Sequence, residues 1–367
     1  IFASSSSLKV GLELALVGEA GCAQGGGFQF YRWRGSGFDG MLLLPLLSGL
    51  LCACATAMVS TKSTLPKVSA PANFVAPEPK PLSMTRPREQ LPGLLTGGLA
   101  LAIRLATGVF TLGWKPKLLL GAEAEDIGPG TRKYGFRVGP LAFRDESPLL
   151  ATAPRPELPL VLYEYEASPF CRKVREAALL LDIPLELRPC PGARAGFASE
   201  LQERTGRMTV PYLIDPNTEK EMFESDDIIE YMLDAYGPSR DAYDAKAIWP
   251  LRGAFAVTTA TFATLLRGLA GSQRLENARP DNEQMLPLEL WGYEPSPFVR
   301  PVREKLCALC LKHVLIPTSR GSANRDRLIA KTSVQQFQVP FLVDPNTGVE
   351  LFESPEILDY LEAVYTV

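Results

Sequence analysis

The chain has 367 residues, of which 46% are hydrophobic, and its 38 basic and 41 acidic side chains give a net charge of −3. This near balance argues against a nucleic-acid or polyanion partner. Seven cysteines without regular spacing argue against a disulfide framework. The length allows two domains with hydrophobic cores and additional segments.

Residues 1–92 have the composition of a leader. Residues 1–40 lack an initiator methionine and are rich in serine and glycine, which fits either translated upstream sequence or an ill-ordered leader. Residues 41–57 form a short apolar stretch that ends in the small-x-small pattern of a signal-peptidase site. Residues 58–92, which we expect to be disordered, begin with a transit-like composition without acidic residues. A signal followed by a transit sequence predicts delivery to a plastid (chloroplast), and a secretory signal alone is the alternative.

Two apolar stretches lie outside any recognisable motif. In segment 93–158, Leu94–Trp114 carries Arg104 at its centre, and a central arginine in a membrane span costs about 2.5–3.5 kcal/mol on insertion scales. A buried helix, or one lying on a membrane surface, is therefore favoured over a span. Leu251–Leu269, in the helical linker 238–286, has the same character. We expect the two helices to pack on each other or on the modules, with the proline-rich residues 115–158 as a surface loop.

One module occurs twice. Residues 163–176 (YEYEASPFCRKVRE) and 291–304 (WGYEPSPFVRPVRE) are identical at nine of fourteen positions. The similarity resumes at Val210 (VPYLIDPNT) and at Val339 (VPFLVDPNT). The repeated modules are residues 159–237 and 287–367.

Each copy predicts an α/β unit. Leu160–Tyr165 is a short apolar run typical of a buried strand. Ser168-Pro169 is a good start for a helix, and further strands and helices follow in the order β-α-β-α-β-β-α. Asp215-Pro-Asn-Thr has the composition of a tight turn. This order predicts α/β layers on a mixed sheet.

Three motifs carry a family resemblance: SPF at the first helix, Val-Pro before the third strand and Glu-Ser before the last helix. In this order they resemble a thioredoxin fold and, more narrowly, the N-terminal domain of glutathione transferases. The arrangement is similar to a family of plastid tandem glutathione transferase and glutaredoxin-like proteins of plants and algae. The resemblance implies two tandem thioredoxin-like folds packed on each other, with glutathione as the bound co-substrate.

The first helix of each copy holds the candidate catalytic residues. In glutaredoxin-like relatives the nucleophile is the first residue of C-P-F-C, and here Ser168 and Ser296 take that place. The resemblance to transferases implies that such a serine stabilises glutathione as a thiolate, and the alternative is that both serines are only N-caps. Cys171, the other catalytic candidate, could support monothiol chemistry or pair with Cys190, or both thiols could be packed and inert.

Two further motifs supply the candidate glutathione-binding residues. Val-Pro in each copy is expected to be a cis peptide whose valine backbone pairs with glutathione. Glu-Ser, at the start of the last helix, is expected to hold the γ-glutamyl group, with helix capping as the alternative. The complete set of candidates is Val210, Pro211, Glu224, Ser225, Ser296, Val339, Pro340, Glu353 and Ser354.

The remaining polar residues are expected to be structural. Arg172 and Arg175 follow the first helix start, and we expect them to face solvent rather than an anionic ligand. Cys307 and Cys310 have the spacing of a C-x-x-C motif but lie within a predicted helix, and with His313 they offer no complete set of metal ligands. We expect core packing there and no metal.

The sequence leaves two functions open. The first is a glutathione transferase-like or thiol-disulfide exchange enzyme that acts through module 1 on an electrophile or disulfide. The second is a non-catalytic plastid binding or scaffold protein, which could be peripherally associated with a membrane. The missing first cysteine favours the second function. So does the linker of about fifty residues that replaces the all-helical domain of transferases. The family resemblance favours the first.

Overall fold

The computed structural model describes residues 67–80, 84–127, 133–138, 141–332, 334 and 336–367. The predicted signal-like stretch 41–57 lies outside the described residues. The helices are α1 (Pro87–Ile103), α2 (Ala122–Glu125), α3 (Pro148–Ala151), α4 (Pro169–Leu180), α5 (Ala198–Thr205), α6 (Ser225–Tyr236), α7 (Gly253–Leu265), α8 (Val299–Ala308), α9 (Asn324–Thr332) and α10 (Ser354–Tyr365). The strands are β1 (Lys115–Leu119), β2 (Phe136–Val138), β3 (Leu141–Glu146), β4 (Leu160–Glu164), β5 (Leu185–Pro189), β6 (Tyr212–Asp215), β7 (Lys220–Met222), β8 (Leu288–Gly292), β9 (His313–Pro317), β10 (Phe341–Asp344) and β11 (Val349–Phe352).

Both modules have the predicted order of elements. Module 1 runs β4-α4-β5-α5-β6-β7-α6, and module 2 runs β8-α8-β9-α9-β10-β11-α10. In each module the first two strands are parallel, and the third strand is antiparallel to the first and the fourth. The prediction of two tandem thioredoxin-like folds is confirmed.

The two modules share one sheet. Strand β5 of module 1 pairs antiparallel with β9 of module 2, with Leu185 opposite Leu315 and Leu187 opposite His313. The resulting eight-stranded sheet has the order β11-β10-β8-β9-β5-β4-β6-β7. An unpaired edge strand is a site of unwanted association. This pairing covers β5 at the edge of module 1 and β9 at the edge of module 2. One hydrophobic core runs beneath the joined strands.

The repeated DPNT turn is held by a buried carboxylate. Asp215 accepts hydrogen bonds from the Tyr231 hydroxyl (2.6 Å), the Tyr236 hydroxyl and the Asn217 backbone N–H (2.8 Å). Burial raises its pKa, but the hydrogen bonds outweigh that effect and lower the pKa below the ordinary value. Asp344 makes the same contacts in module 2. The turn therefore anchors the last helix of each module to the sheet.

The two apolar stretches form helices α1 and α7, which pack on each other, and α7 also packs on α4, as expected. Just after the end of each helix, an arginine binds the first helix of the module that follows. Arg104 pairs with Glu176 of α4, and Arg267 pairs with Glu304 of α8. The repeating unit is therefore an apolar helix followed by a module. Among the described helices, none is both long and apolar enough to cross a bilayer.

Residues 115–158 correct the expectation of a surface loop. They contain a three-stranded antiparallel sheet of order β1-β3-β2 and the short helices α2 and α3. The rings of Phe136 and Phe143 stack at 5.1 Å across two strands, and the Trp114 indole N–H donates to Asp145 at 3.0 Å. The proline content hid short strands whose pairing with one another is not visible in any single segment.

The described part of residues 58–92 also differs from the expectation of disorder. The Phe74 and Tyr360 rings lie 5.3 Å apart, and Val68 packs on the same core. Arg86 binds Glu356 at 2.9 Å and Asp359 at 2.6 Å on α10. These contacts hold the segment that precedes α1 against module 2.

Candidate functional site

The serines at the two helix starts act as backbone caps. The Ser168 hydroxyl accepts a hydrogen bond from the Cys171 N–H at 3.3 Å, and the Ser296 hydroxyl accepts one from the Val299 N–H at 3.3 Å. Ser168 is only 2% exposed and Ser296 only 1%. Both hydroxyls are therefore shielded from solvent, and their role toward glutathione stays a prediction.

The predicted catalytic thiol lies in the core. Burial, with Glu164 nearby, raises the pKa of Cys171 to about 12, and burial raises the pKa of the Cys190 thiol above its ordinary value. Both thiols are protonated near neutral pH, whereas the reactive species in exchange chemistry is the thiolate. Both cysteines are free and fully buried. The structure therefore gives no support to a Cys171–Cys190 redox pair.

The cis-proline loops and the Glu-Ser positions take the expected local geometry. Val210-Pro211 and Val339-Pro340 are both cis, as predicted. Glu224 has φ +66° and ψ 112°, and Glu353 has φ +70° and ψ 117°. A backbone conformation this unusual for a residue other than glycine costs on the order of 1–3 kcal/mol and is concentrated at functional sites. Both modules therefore begin their last helix from the same unusual backbone conformation.

In module 1 the Glu-Ser position is open. Glu224 is exposed, and its carboxylate has no hydrogen-bond partner among the described residues. The adjacent Asp226 binds the Lys173 ammonium at 2.7 Å, and Lys173 is itself buried. This ion pair fixes the start of α6 against α4. Glu224 therefore remains available to a cation from outside the chain.

In module 2 the matching glutamate is occupied by the chain itself. Glu353 is 5% exposed. Its carboxylate accepts hydrogen bonds from the Lys80 backbone N–H at 3.0 Å and from the Gln338 side chain. Because these donors come from the segment before α1 and from the cis-proline loop, Glu353 is not free to receive a ligand ammonium.

A cavity of 320 Å³ lies beside this position. Its lining includes Pro297 and Phe298 at the start of module 2's first helix, Ser354 at the N-terminus of α10, and the guanidinium-bearing Arg86 and Arg267. The volume falls in the range of small-molecule sites. Ser354 lines the cavity, and its buried hydroxyl has no hydrogen-bond partner among the residues that the structure describes.

Some of the residues that line the cavity were predicted from the sequence, and others were not. Ser354 was a predicted ligand contact, and Pro297 belongs to the repeated SPF motif, but Val339, Pro340 and Glu353 are not part of the lining. Arg86 and Arg267 were missed because they lie outside the modules. The position of Arg267 at the end of an apolar run was the available signal that it has a buried partner.

The junction between the modules contains a buried ion network, which corrects the expectation for Arg172 and Arg175. Both arginines are fully buried rather than solvent-facing. Arg175 donates to Glu294 of module 2 at 2.9 Å, and Arg303 of module 2 donates to Glu166 of module 1 at 2.9 Å. These reciprocal pairs hold the loops before Ser168 and Ser296 against the opposite module.

The C-x-x-C motif spans the end of α8, whereas the sequence predicted that both cysteines lie within a helix. Cys307 lies in the last turn of α8, and Cys310 follows the end of that helix with φ +57°. Both are buried, as expected for core packing. Within the described residues, no cluster of side chains could hold a metal ion.

The titration of His313 tests whether β9 is buried against β5 at the junction between the modules. It is the single histidine of the chain, and burial lowers its pKa to about 4, against about 6.5 when exposed. Its folded pKa is depressed, so its contribution to stability is present above about pH 6.5 and is lost as the pH falls toward 4. We expect the imidazole resonances in NMR to show a neutral ring at pH 5.5. A midpoint near 6.5 in the folded protein would contradict the burial of β9 against β5.

Comparison with known proteins agrees with this geometry. A model of the glutathione S-transferase N-terminal domain matches residues 162–240 and, separately, residues 290–366. Each module is therefore similar to a glutathione S-transferase N-terminal domain. Each match coincides with one of the modules whose elements are described above.

A solved structure also matches part of the chain. It is the Bombyx mori glutathione transferase BmGSTD1 in complex with GTT, with 26% sequence identity over 25% of this chain and 42% of that chain, at a TM-score of 0.22. The match therefore spans less than half of the silkworm protein. No curated protein matches the chain. None of these comparisons supports a plant, algal or plastid origin.

Proposed function

We propose that this protein binds glutathione, and that the cavity of module 2 is the binding site. The observation that carries the proposal is the buried, unpartnered Ser354 hydroxyl at the N-terminus of α10. A helix N-terminus presents free N–H groups and a positive dipole end, which favour a carboxylate. Glutathione has two carboxylates, and the γ-glutamyl carboxylate would take the place beside Ser354.

The charges around the cavity suit the rest of the tripeptide. Arg86 and Arg267 line it; each is paired with a carboxylate of the chain, and their remaining N–H groups can face the second carboxylate. Glu89, which is largely exposed, also lines it and can face the ammonium, because Asp359 is paired with Arg86 and Glu353 is bound by the Lys80 N–H. The glutathione thiol would meet no exposed serine, since Ser296 is buried. The site therefore favours binding over thiolate activation.

Isothermal titration of the full chain with glutathione tests the proposal. Ser354→Ala removes a hydrogen bond to a charged group, worth about 1.5–3 kcal/mol, so we expect about tenfold weaker binding or more. The matched control is Ser225→Ala, the equivalent residue of module 1, which should leave the affinity unchanged. Loss of binding in Ser225→Ala alone would move the site to module 1, and no binding by the unmodified protein would end the proposal.

A second candidate is transferase-like chemistry through module 1, favoured by the exposed and unpaired Glu224. The burial of Ser168 and the raised pKa of Cys171 weigh against it. An assay that distinguishes the two candidate functions is the conjugation of glutathione to 1-chloro-2,4-dinitrobenzene, measured for the unmodified protein and for Ser168→Ala. Turnover that depends on Ser168 would establish the enzyme, and its absence alongside measurable binding would leave a glutathione-binding protein.

A further inference from the structure

A second cavity, of 770 Å³, is lined by residues of both modules and of segment 93–158. Its lining includes Asp182 just after α4, Val314 and Ile316 of β9, and Glu146 at the end of β3. The volume lies within the range of small-molecule sites. Among the described residues that line this cavity, none belongs to the repeated Ser-Pro-Phe, Val-Pro or Glu-Ser motifs. It is therefore separate from the glutathione site proposed above.

The Asp182 carboxylate in this lining has an unmet hydrogen bond. The side chain is only 9% exposed, and its Oδ1 atom has no hydrogen-bond partner in the part of the chain that the structure describes. The Oδ2 atom lies 4.0 Å from the Arg155 guanidinium, which is beyond hydrogen-bond distance. Because a buried acceptor without a donor is costly, this carboxylate favours a ligand that brings N–H groups.

The place of Asp182 in the fold gives the carboxylate no structural advantage. The residue follows Leu181, the C-cap of α4, and the negative end of a helix dipole disfavours a negative charge there. Module 2 has Cys310 at the equivalent position, and that residue is also buried. The module therefore folds without an acid at this point.

The other charges of the lining determine the sign of the ligand. The three arginines already donate to groups of the chain: Arg144 to Asp326, Arg155 to the Leu181 carbonyl oxygen and Arg327 to the Asn324 side chain. In contrast, the carboxylates of Glu146 and Glu157 have no partner among the described residues. Carboxylates without a donor thus outnumber guanidinium groups without an acceptor, and the cavity favours a cation.

We propose that this cavity binds an alkyl amine through its ammonium group. The ammonium donates to Asp182, and the alkyl chain packs on Val314 and Ile316, which are half-buried. Glu146 and Glu157 are available to a second ammonium group of the same ligand. Two sources share this chemistry, a free polyamine and the side chain of a lysine residue.

Isothermal titration of the full chain at pH 7.5 tests the proposal, with spermidine as one probe and lysine capped at both ends as the other. Binding of spermidine alone assigns the site to a free polyamine, and binding of both probes extends it to lysine side chains. Asp182→Asn replaces an acceptor by a donor and should weaken binding about tenfold or more. The matched control is Glu203→Gln, which changes an exposed carboxylate outside the cavity and should leave the affinity unchanged.

The fold should tolerate these changes at Asp182. The residue has φ +59°, and asparagine is a common residue in this conformation after a helix. A second variant, Asp182→Cys, introduces the residue that module 2 has at the equivalent position, where φ is +57°. Both variants remove a buried charge, so circular dichroism should show melting temperatures no lower than that of the unmodified protein.

The pH dependence of binding identifies Asp182 as the contact. Burial raises the pKa of its carboxyl to about 6, against the lowering effects of the Ser322 hydroxyl and of Arg155, Arg325 and Arg327. The amine stays protonated throughout this range. Binding should therefore weaken as the pH falls from 7.5 to 5, whereas exposed carboxylates, which titrate near 4.3, would keep their affinity.

Three results would overturn the proposal. Neither amine could bind the unmodified protein. Asp182→Asn and Asp182→Cys could both bind as tightly as the unmodified protein, which would assign binding to surface carboxylates. The affinity of the unmodified protein could also stay constant between pH 7.5 and pH 5.

Discussion

Glu294→Ala is expected to destabilise the folded protein by about 3–5 kcal/mol, the cost of breaking a buried ion pair by removing one partner. Glu294 is fully buried and accepts hydrogen bonds from Arg175 of module 1 and Arg303 of its own module. The Arg172 guanidinium lies 3.6 Å away. Removal of the Glu294 carboxylate leaves these buried guanidinium groups without a compensating charge at the centre of the junction.

Urea unfolding monitored by tryptophan fluorescence measures this loss. The control is Glu123→Ala, which breaks an ion pair with Lys117 between side chains that are 65% and 45% exposed and should cost less than about 1 kcal/mol. Equal effects of the two substitutions would show that the network contributes no more than a surface pair. A selective loss in Glu294→Ala places the stability of the chain at the junction between the modules.

Lowering the pH is also expected to lower the free energy of unfolding. Arg175 and Arg303 hold the pKa of the Glu294 carboxyl well below its usual range, against the opposing effect of burial. The folded pKa is lower than the unfolded value of about 4.3. Glu294 therefore contributes stability above that pH and loses it as the pH falls through the folded pKa. Stability measured from pH 6 to pH 3 should consequently fall more in the unmodified protein than in Glu294→Ala.

The sequence contained most of the information needed for each module taken alone. The repeat at Val210 and Val339, the Ser-Pro helix starts and the apolar runs are local patterns, and they correctly predicted the order of strands and helices. The same applies to the buried Cys307 and to the packing of the two apolar helices. In each case the physical cause lies within one segment or between adjacent segments.

The junction and the cavity could not be predicted in this way. Arg175 binds Glu164 of its own module, but its further partner Glu294 lies in module 2, more than a hundred residues away. The two modules are brought together by the pairing of β5 with β9. A hint was present, because Arg175 and its equivalent Arg303 are both retained in copies that differ elsewhere. Edge pairing between two modules has no local signature, because the strands concerned resemble ordinary strands.

The candidate site of module 2 could likewise be predicted only in part from the sequence. The family motif located Glu353 and Ser354 but not the segment that covers one of them, because residues 67–86 resemble an unstructured leader in composition. Lys80 reaches Glu353 through a backbone N–H, a contact that depends on no particular side chain and so leaves no pattern to detect. The cavity beside Ser354 is therefore formed jointly by a recognisable motif and by segments without one.

Arg104→Met is expected to cost about 3–5 kcal/mol, a second large effect from one buried charge. Arg104 and Glu176 are both completely buried. The guanidinium also donates to the Thr259 hydroxyl at 2.6 Å and to the Pro250 carbonyl oxygen at 3.1 Å. Methionine fills the space but leaves the carboxylate with a single arginine, Arg172. Thermal and urea unfolding measure the change.

The repeat supplies the control for this experiment. Arg267→Met removes the equivalent arginine just after α7, whose ion pair with Glu304 is partly exposed at 15% and 9%, and it should cost less than about 3 kcal/mol. The double variant Arg104→Met with Glu176→Met removes both charges and should recover part of the loss, since a buried pair can be replaced by apolar groups at little cost. Recovery should be incomplete because Glu176 also binds Arg172 at 2.9 Å. Full recovery would show that Arg104 and Glu176 form an isolated pair rather than one end of the network that joins the two modules.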